Sequence, residues 1–269
     1  MKDLTPHLPK HAESTIHQFL RAHALPPAAE GVVVGLSGGI DSALCARLAR
    51  DALGADRVLG ILLPAAGFSD SLRQETEGYA DRLGIAHRTL SVEEMDQRFR
   101  ALVPEVTDRV TLGNAVARLR MVVLYTVARE THRLVLGTGN KSELLLGYFT
   151  KYGDGGTDLL PIGDLYKTEV RALAAELGLP GPILDRPPTA GFWEGQTDEG
   201  ELGSSYQDLD RILHGLEQLL RAEEIAERSG ISLETVRRVL ERVATSRHKR
   251  RLPPVAKVGL RTVGLDWRE

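Results

Sequence analysis

The amino-acid sequence predicts an α/β fold, a doubly wound five-stranded parallel sheet with helices on both faces and a helical C-terminal part. Short apolar, β-branched runs alternate with helical stretches through the first half of the chain, which is the pattern of βαβ units. One of these runs, GVVVGLS at 31–37, leads straight into a glycine pair and then a helical stretch, the place where such sheets bind their ligands. From Tyr206 onward the pattern is mostly helical.

In order along the chain, residues 10–25 place Ile16, Phe19, Leu20 and Leu25 on an amphipathic first helix. GVVVGLS reads as the first strand and Asp41–Leu53 as the helix after it. RVLGILL (57–63) is the second strand, DSLRQETEGYADRLG the next helix, and AHRTLSV a third strand. LGNAVARLRMVVLYTVARE is a long helix, and RLVLGTG (133–139) a fourth strand with a glycine-bearing end. A glycine-rich loop precedes a helix at about 167–177. The segment LPGPILDRPPTAGFWEGQTDEGELG, rich in Pro, Gly and acids, is too long for a plain connection and is expected to act as a lid or to be mobile.

A chain of 269 residues, 42% hydrophobic, 26% charged and with a formal net charge of -3, suits one globular domain and lacks the basic excess of an obligate nucleic-acid binder. We read 1–269 as a single domain, with an α/β core over about 25–190, a mobile loop at 190–204 and a helical part at 205–269. The single cysteine, Cys45, excludes an intramolecular disulfide or a zinc ribbon and fits a cytoplasmic protein. The N-terminal residues carry no signal-like apolar core, and no run of uncharged apolar residues reaches the roughly 18 of a membrane span.

The chemistry concentrates at SGGIDS. Gly38 and Gly39 free the backbone to turn successive N–H groups toward phosphate oxygens, and the helix that follows adds its own unpaired donors. Ser37 and Ser42 add hydroxyls, and Asp41 can hold a magnesium ion. No lysine precedes Ser42, so this is not the G-x-x-x-x-G-K-[ST] loop. Glu143 opens a helix just after the fourth strand, on the same rim as Asp41, so the two carboxylates can share magnesium between phosphates. Lys151, Asp154 and Asp158 flank a glycine run at that rim, and Arg118 and Arg120, two apart on a helix, point in different directions.

SGGIDS resembles the loop of ATP pyrophosphatases, which split ATP between its α and β phosphates. GNAVARLRM (113–121), GTGNKSELLLGYFTKYGDGGTDLLPIGDLYKTEV (137–170), PPTAGFWEGQTDEGELGSSY (187–206) and HKRRLPP (248–254) together resemble the NAD synthetase family over nearly the whole chain. The resemblance implies a Rossmann-like fold of the adenine nucleotide alpha hydrolase type. It also implies the last step of NAD biosynthesis: amidation of deamido-NAD by ammonia through an adenylated intermediate, releasing AMP and pyrophosphate. It further implies that ATP lies on Gly35, Leu36, Ser37, Gly38, Gly39, Ile40, Asp41 and Ser42, with Thr138, Lys167 and Thr189. Magnesium lies on Asp41 and Glu143, and deamido-NAD on Arg118, Tyr148, Lys151, Asp158, His248 and Lys249. Asp154 and Lys167 are the catalytic candidates, Lys167 steadying charge as pyrophosphate leaves and Asp154 placing ammonia, taking its proton, or positioning substrate. The chain departs from the family at Gly191, where P-[ST]-A-D-L has aspartate, and at ILLP (61–64), where many bacterial members have an arginine.

Family members are homodimers, and the helix around 111–130, apolar on more than one face, is the expected contact. Cys45, between Leu44 and Ala46, reads as a core residue, so the expected nitrogen donor is free ammonia or ammonia from a separate glutamine amidase subunit. EEIAERSGISLETVRRVLERV (223–243) has the outline of a helix-turn-helix, but Glu234 and Glu241 on its second helix oppose a polyanion, and it is read as a structural helical pair.

Overall fold

Val32, Val33 and Val34 are all fully buried, so the first strand contacts protein on both faces, as the central strand of a parallel sheet must. The computed structural model describes residues 3–193, 195–263 and 266. Glu194, within the segment expected to be mobile, and residues 264, 265 and 267–269 of the helical part lie outside the described residues.

Helix α1 (Ala12–His23) precedes β1 (Val32–Gly35), which is followed by α2 (Ile40–Leu53), β2 (Val58–Leu62), α3 (Asp70–Leu83) and β3 (Ala86–Thr89). Then come α4 (Glu93–Leu102), α5 (Arg109–Glu130), β4 (Leu134–Leu136), α6 (Lys141–Leu146), α7 (Lys167–Glu176) and α8 (Gly181–Leu184). The chain continues through α9 (Asp198–Leu202), α10 (Tyr206–Glu217), α11 (Ala222–Ser229) and α12 (Leu233–Thr245), followed by a 3-10 turn, Ser246–Arg250.

The sheet order is β3-β2-β1-β4, with every pair parallel. Alternation along β1 assigns the two faces: Val32 and Val34 join the core under α1, α2, α3, α7 and α8, while Val33 joins Leu59, Ile61, Val116 and Val135 under α5. A third cluster unites α6 with α9 to α12 and takes in Leu4 from the other end of the chain.

Two sequence expectations are corrected. Among the described residues the sheet has four strands rather than five, because the fifth position is held by one bridge, Leu136 to Leu159. Pro161 brings no N–H to extend that ladder, and the Asp158 side chain takes the Val135 N–H that a neighbouring strand would bond. Helix α4 was not anticipated. It buries only Asp96, so its apolar signal is faint.

By length and mean hydropathy, α5 is the one helix among the described residues suited to crossing a membrane. It nevertheless packs on β1 and β4 and carries the half-buried Arg120 at mid-length, whose Nε donates to the Leu63 carbonyl at 3.0 Å.

Candidate active site

The turn from β1 to α2 is held by its own serines. The Gly39 N–H donates to Ser37 Oγ at 3.2 Å, the two serine hydroxyls lie 3.1 Å apart, and Ser42 Oγ donates to the Gly39 carbonyl at 3.0 Å. Gly38 sits at φ +78, a conformation that glycine adopts freely. Asp41 follows in the first turn of α2.

After the neighbouring strand β4 the chain reaches Asn140, the residue that opens α6, whose side chain makes two contacts. Its Oδ1 accepts the Glu143 N–H at 3.0 Å, capping α6, and its Nδ2 donates to Asp41 Oδ1 at 3.0 Å. Asn140 is fully buried, so this one amide ties the Asp41 carboxylate to the first turn of α6, which carries Glu143.

Lys167 opens α7 and is 2% exposed. Its ammonium donates to Asp41 Oδ2 at 2.5 Å and to Glu143 Oε1 at 3.3 Å, and it lies 5.4 Å from the centre of the Tyr206 ring. Burial alone would lower its pKa, but Asp41 and Glu143 outweigh burial and raise it. Burial, with Asp41 second, pushes the Glu143 carboxyl up to about 8, against the pull of Lys167. Asp198, 4% exposed, joins the cluster from α9; its Oδ2 accepts from Tyr206, and its Oδ1 has no partner among the described residues. Burial raises its pKa as well.

The backbone of Lys167 is fixed from the C-terminal helices. Asp210 on α10, fully buried, accepts from Ser142 Oγ at 2.5 Å and from the Thr168 N–H at 2.9 Å, while Ser142 Oγ accepts the Lys167 N–H at 2.9 Å. Neither Asp210 nor Ser142 stood out in the sequence, since an isolated Asp or Ser in a helical pattern carries no spacing signal.

Of the remaining candidates, those around the glycine-rich loop form a second cluster, and Asp158, Thr138 and Thr189 stand outside it. The loop after Thr150 closes on Asp154, whose Oδ1 accepts the Thr150 N–H at 2.8 Å. The Asp154 residue as a whole meets solvent, but the protein packed around its carboxyl raises the pKa, and its charge faces Lys249 and Arg120. Arg118 Nε donates to the Lys151 carbonyl at 3.3 Å, and Lys151 Nζ to the carbonyl of exposed His248 at 2.8 Å. Lys249 Nζ donates to the carbonyls of Gly147 and Phe149. The basic turn thus fastens the glycine-rich loop. Tyr148 donates to Glu201 at 2.9 Å and packs against the third core cluster. Asp158 accepts from Tyr125 and Val135 at the sheet edge. Thr138 is half-buried at the end of β4, while Thr189 is exposed, its Oγ1 accepting the Gly191 N–H at 3.1 Å.

The turn, two carboxylates and a buried lysine lie together beyond the carboxyl ends of parallel strands, an arrangement whose donors could hold a polyphosphate and a cation. Residues 13–253 match the family model described as NAD synthase. The chain belongs to the NAD synthase family. The chain is 47% identical over 252 residues to an NH(3)-dependent NAD(+) synthetase of Methanosarcina mazei, an alignment covering 93% of this chain and 98% of that protein. Among solved structures it resembles an NMN synthetase of Francisella tularensis (TM-score 0.82, 36% identity, 93% and 99% of the two chains). It also resembles an NH3-dependent NAD synthetase of Campylobacter jejuni (TM-score 0.78, 29% identity, 96% and 100%). Within this NAD synthase fold, the residues that sequence reasoning passed over are Asn140, Ser142, Asp198 and Asp210.

Proposed function

We propose that the chain is an ammonia-dependent NAD synthetase that amidates deamido-NAD at the expense of ATP. The observation that carries this reading is the Lys167 ammonium held by Asp41 and Glu143 beside the SGGIDS turn. Two carboxylates already converge there on one cation, so the donor set suits magnesium, with Asp41 and Glu143 as its protein ligands. Magnesium bound there would neutralise the phosphates of ATP. The turn from Gly35 to Ser42 supplies N–H and hydroxyl donors, with Thr138 and Thr189 at the rim. Lys167 stabilises the charge that grows as pyrophosphate departs.

The nicotinate carboxylate, an anion that resists ammonia, attacks the α-phosphate of ATP. Pyrophosphate leaves, and ammonia displaces AMP from the acyl carbon. We assign deamido-NAD to the second cluster, Arg118, Tyr148, Lys151, His248 and Lys249, with Asp158 reaching it from the sheet edge. The raised pKa of Asp154 favours its accepting a proton as ammonia attacks. A homodimer through the outer face of α5, where Val110 and Val122 are exposed, a cytoplasmic setting, and ammonia supplied free or by a separate amidase complete the reading. Residues 190–204 serve as the lid.

The test is to incubate the protein with ATP, magnesium, ammonium and deamido-NAD and to measure NAD, AMP and pyrophosphate. All three in equal amounts, lost in Asp41→Ala, support the proposal. The likeness to the Francisella protein favours a second reading, and a parallel assay with nicotinic acid mononucleotide separates the two: NMN formed in preference to NAD moves the activity to the smaller substrate.

A further inference from the structure

Arg186 reaches the SGGIDS turn from outside it. One terminal nitrogen of its guanidinium donates to both carboxylate oxygens of Glu75 on α3, at 2.8 and 2.7 Å, and the other terminal nitrogen donates to the Gly38 carbonyl. It stands three residues after Ile183, which is buried in one core cluster with Leu36, Ala43 and Tyr79, and immediately before Pro187 and Pro188. The segment carrying Arg186 is thus stiff on one side and packed on the other.

The Gly38–Gly39 peptide is flanked by the two residues with least resistance to rotation, so it is the peptide in this turn most free to flip. A carbonyl turned inward would set an acceptor against phosphate oxygens, whereas one turned outward leaves the N–H groups to face them. In the structure the peptide is held at both ends: its carbonyl by Arg186 and its N–H by Ser37 Oγ. Glu75 holds the guanidinium in the orientation that does this.

We infer that Arg186 and Glu75 form a positioning pair that keeps the Gly38 carbonyl out of the phosphate cradle, a role that rests on the ATP-binding reading of this turn. Neither residue needs to touch the nucleotide. The pair contributes through the orientation of one peptide, so its effect belongs to the phosphates beyond the α position rather than to the adenosine.

Calorimetric titration with α,β-methylene-ATP and with AMP tests the inference on the full chain. Arg186→Gln is expected to weaken α,β-methylene-ATP by roughly tenfold, the size of a lost charge-assisted hydrogen bond, and AMP by less than about twofold. Arg186→Lys, which can still donate to the carbonyl, restores part of the loss. Glu75→Gln falls between wild type and Arg186→Gln, and the double variant is no worse than Arg186→Gln because the two residues act as a unit. In turnover, KM for ATP rises while KM for deamido-NAD holds. Equal affinity of wild type and Arg186→Gln for α,β-methylene-ATP overturns the inference, as does an equal loss for AMP. Wild-type protein that binds neither nucleotide overturns the ATP reading itself. If Arg186→Gln fails to fold, Arg186→Lys and Glu75→Gln decide by the same comparison.

Discussion

The Lys167 ammonium lies 2.5 Å from Asp41 and 3.3 Å from Glu143, so one buried cation holds together carboxylates delivered by α2 and α6. Lys167→Met strips that cation while keeping much of the side chain's bulk. It is expected to cost roughly 3–5 kcal/mol of stability in metal-free protein, as an unpaired buried charge does, and roughly 10²- to 10³-fold in kcat. The two carboxylates left behind should take up a divalent ion more readily than in wild type. Magnesium should therefore raise the Tm of Lys167→Met more than that of wild type, and equal shifts would mean that the carboxylates do not form a shared cation site.

Glu143 sets a pH dependence. Its pKa is raised from an ordinary 4.5 to about 8, first by burial and then by Asp41. The folded state therefore binds this proton more tightly than the unfolded state. The associated stability is fully present below about 4.5 and lost as pH rises through about 8. Denaturant unfolding of metal-free protein between pH 5 and 8 should show wild type losing stability relative to Glu143→Gln as pH rises. A pH-independent difference would show that Lys167 keeps Glu143 ionised throughout.

At the phosphate turn the two glycines are unequal. A Cβ at Gly38 would lie 2.5 Å from Leu72 Cδ1 and 2.7 Å from Thr76 Oγ1, on a backbone at φ +78, whereas one at Gly39 would meet only Ser37 Oγ, at 3.3 Å. Gly38→Ala should cost about 1–3 kcal/mol and raise KM for ATP several-fold more than Gly39→Ala does. The ordering, measured by denaturant unfolding and initial rates, is the test.

The dimer assignment predicts that a charge on the outer face of α5 is disruptive. Val122 is 49% exposed in the single chain, and Val122→Asp should sediment as a monomer at micromolar concentration where wild type sediments as a dimer. An unchanged mass would place the contact elsewhere.

Strands β1, β2 and β4 were legible in the sequence because burial on both faces makes a short, continuous apolar run. The rim that unites Asp41 with Glu143 was legible too, since both carboxylates follow strand ends. The pairing of Lys167 with Asp41 was not, as 126 residues separate them and only the packing of α7 beside α2 joins them. Asn140, Ser142 and Asp210 escaped notice for a different reason. They act as polar spacers in a buried network, and their residue types are equally at home as ordinary helix caps or surface positions. Arg186 sat in a Pro-rich stretch where a guanidinium has no pattern to follow, and only the fold reveals the carbonyl that it meets.

Leu4 is fully buried among Leu213, Ile225 and Val236, from helices near the opposite end of the sequence. In vectorial synthesis Leu4 leaves the ribosome long before those partners exist. The α/β layers can assemble on the nascent chain, but this clasp closes only after α12 has emerged. The same helices fix the backbone of Lys167 through Asp210, so the buried lysine reaches its final setting among the last events of biogenesis, and a half-made chain cannot hold the finished site.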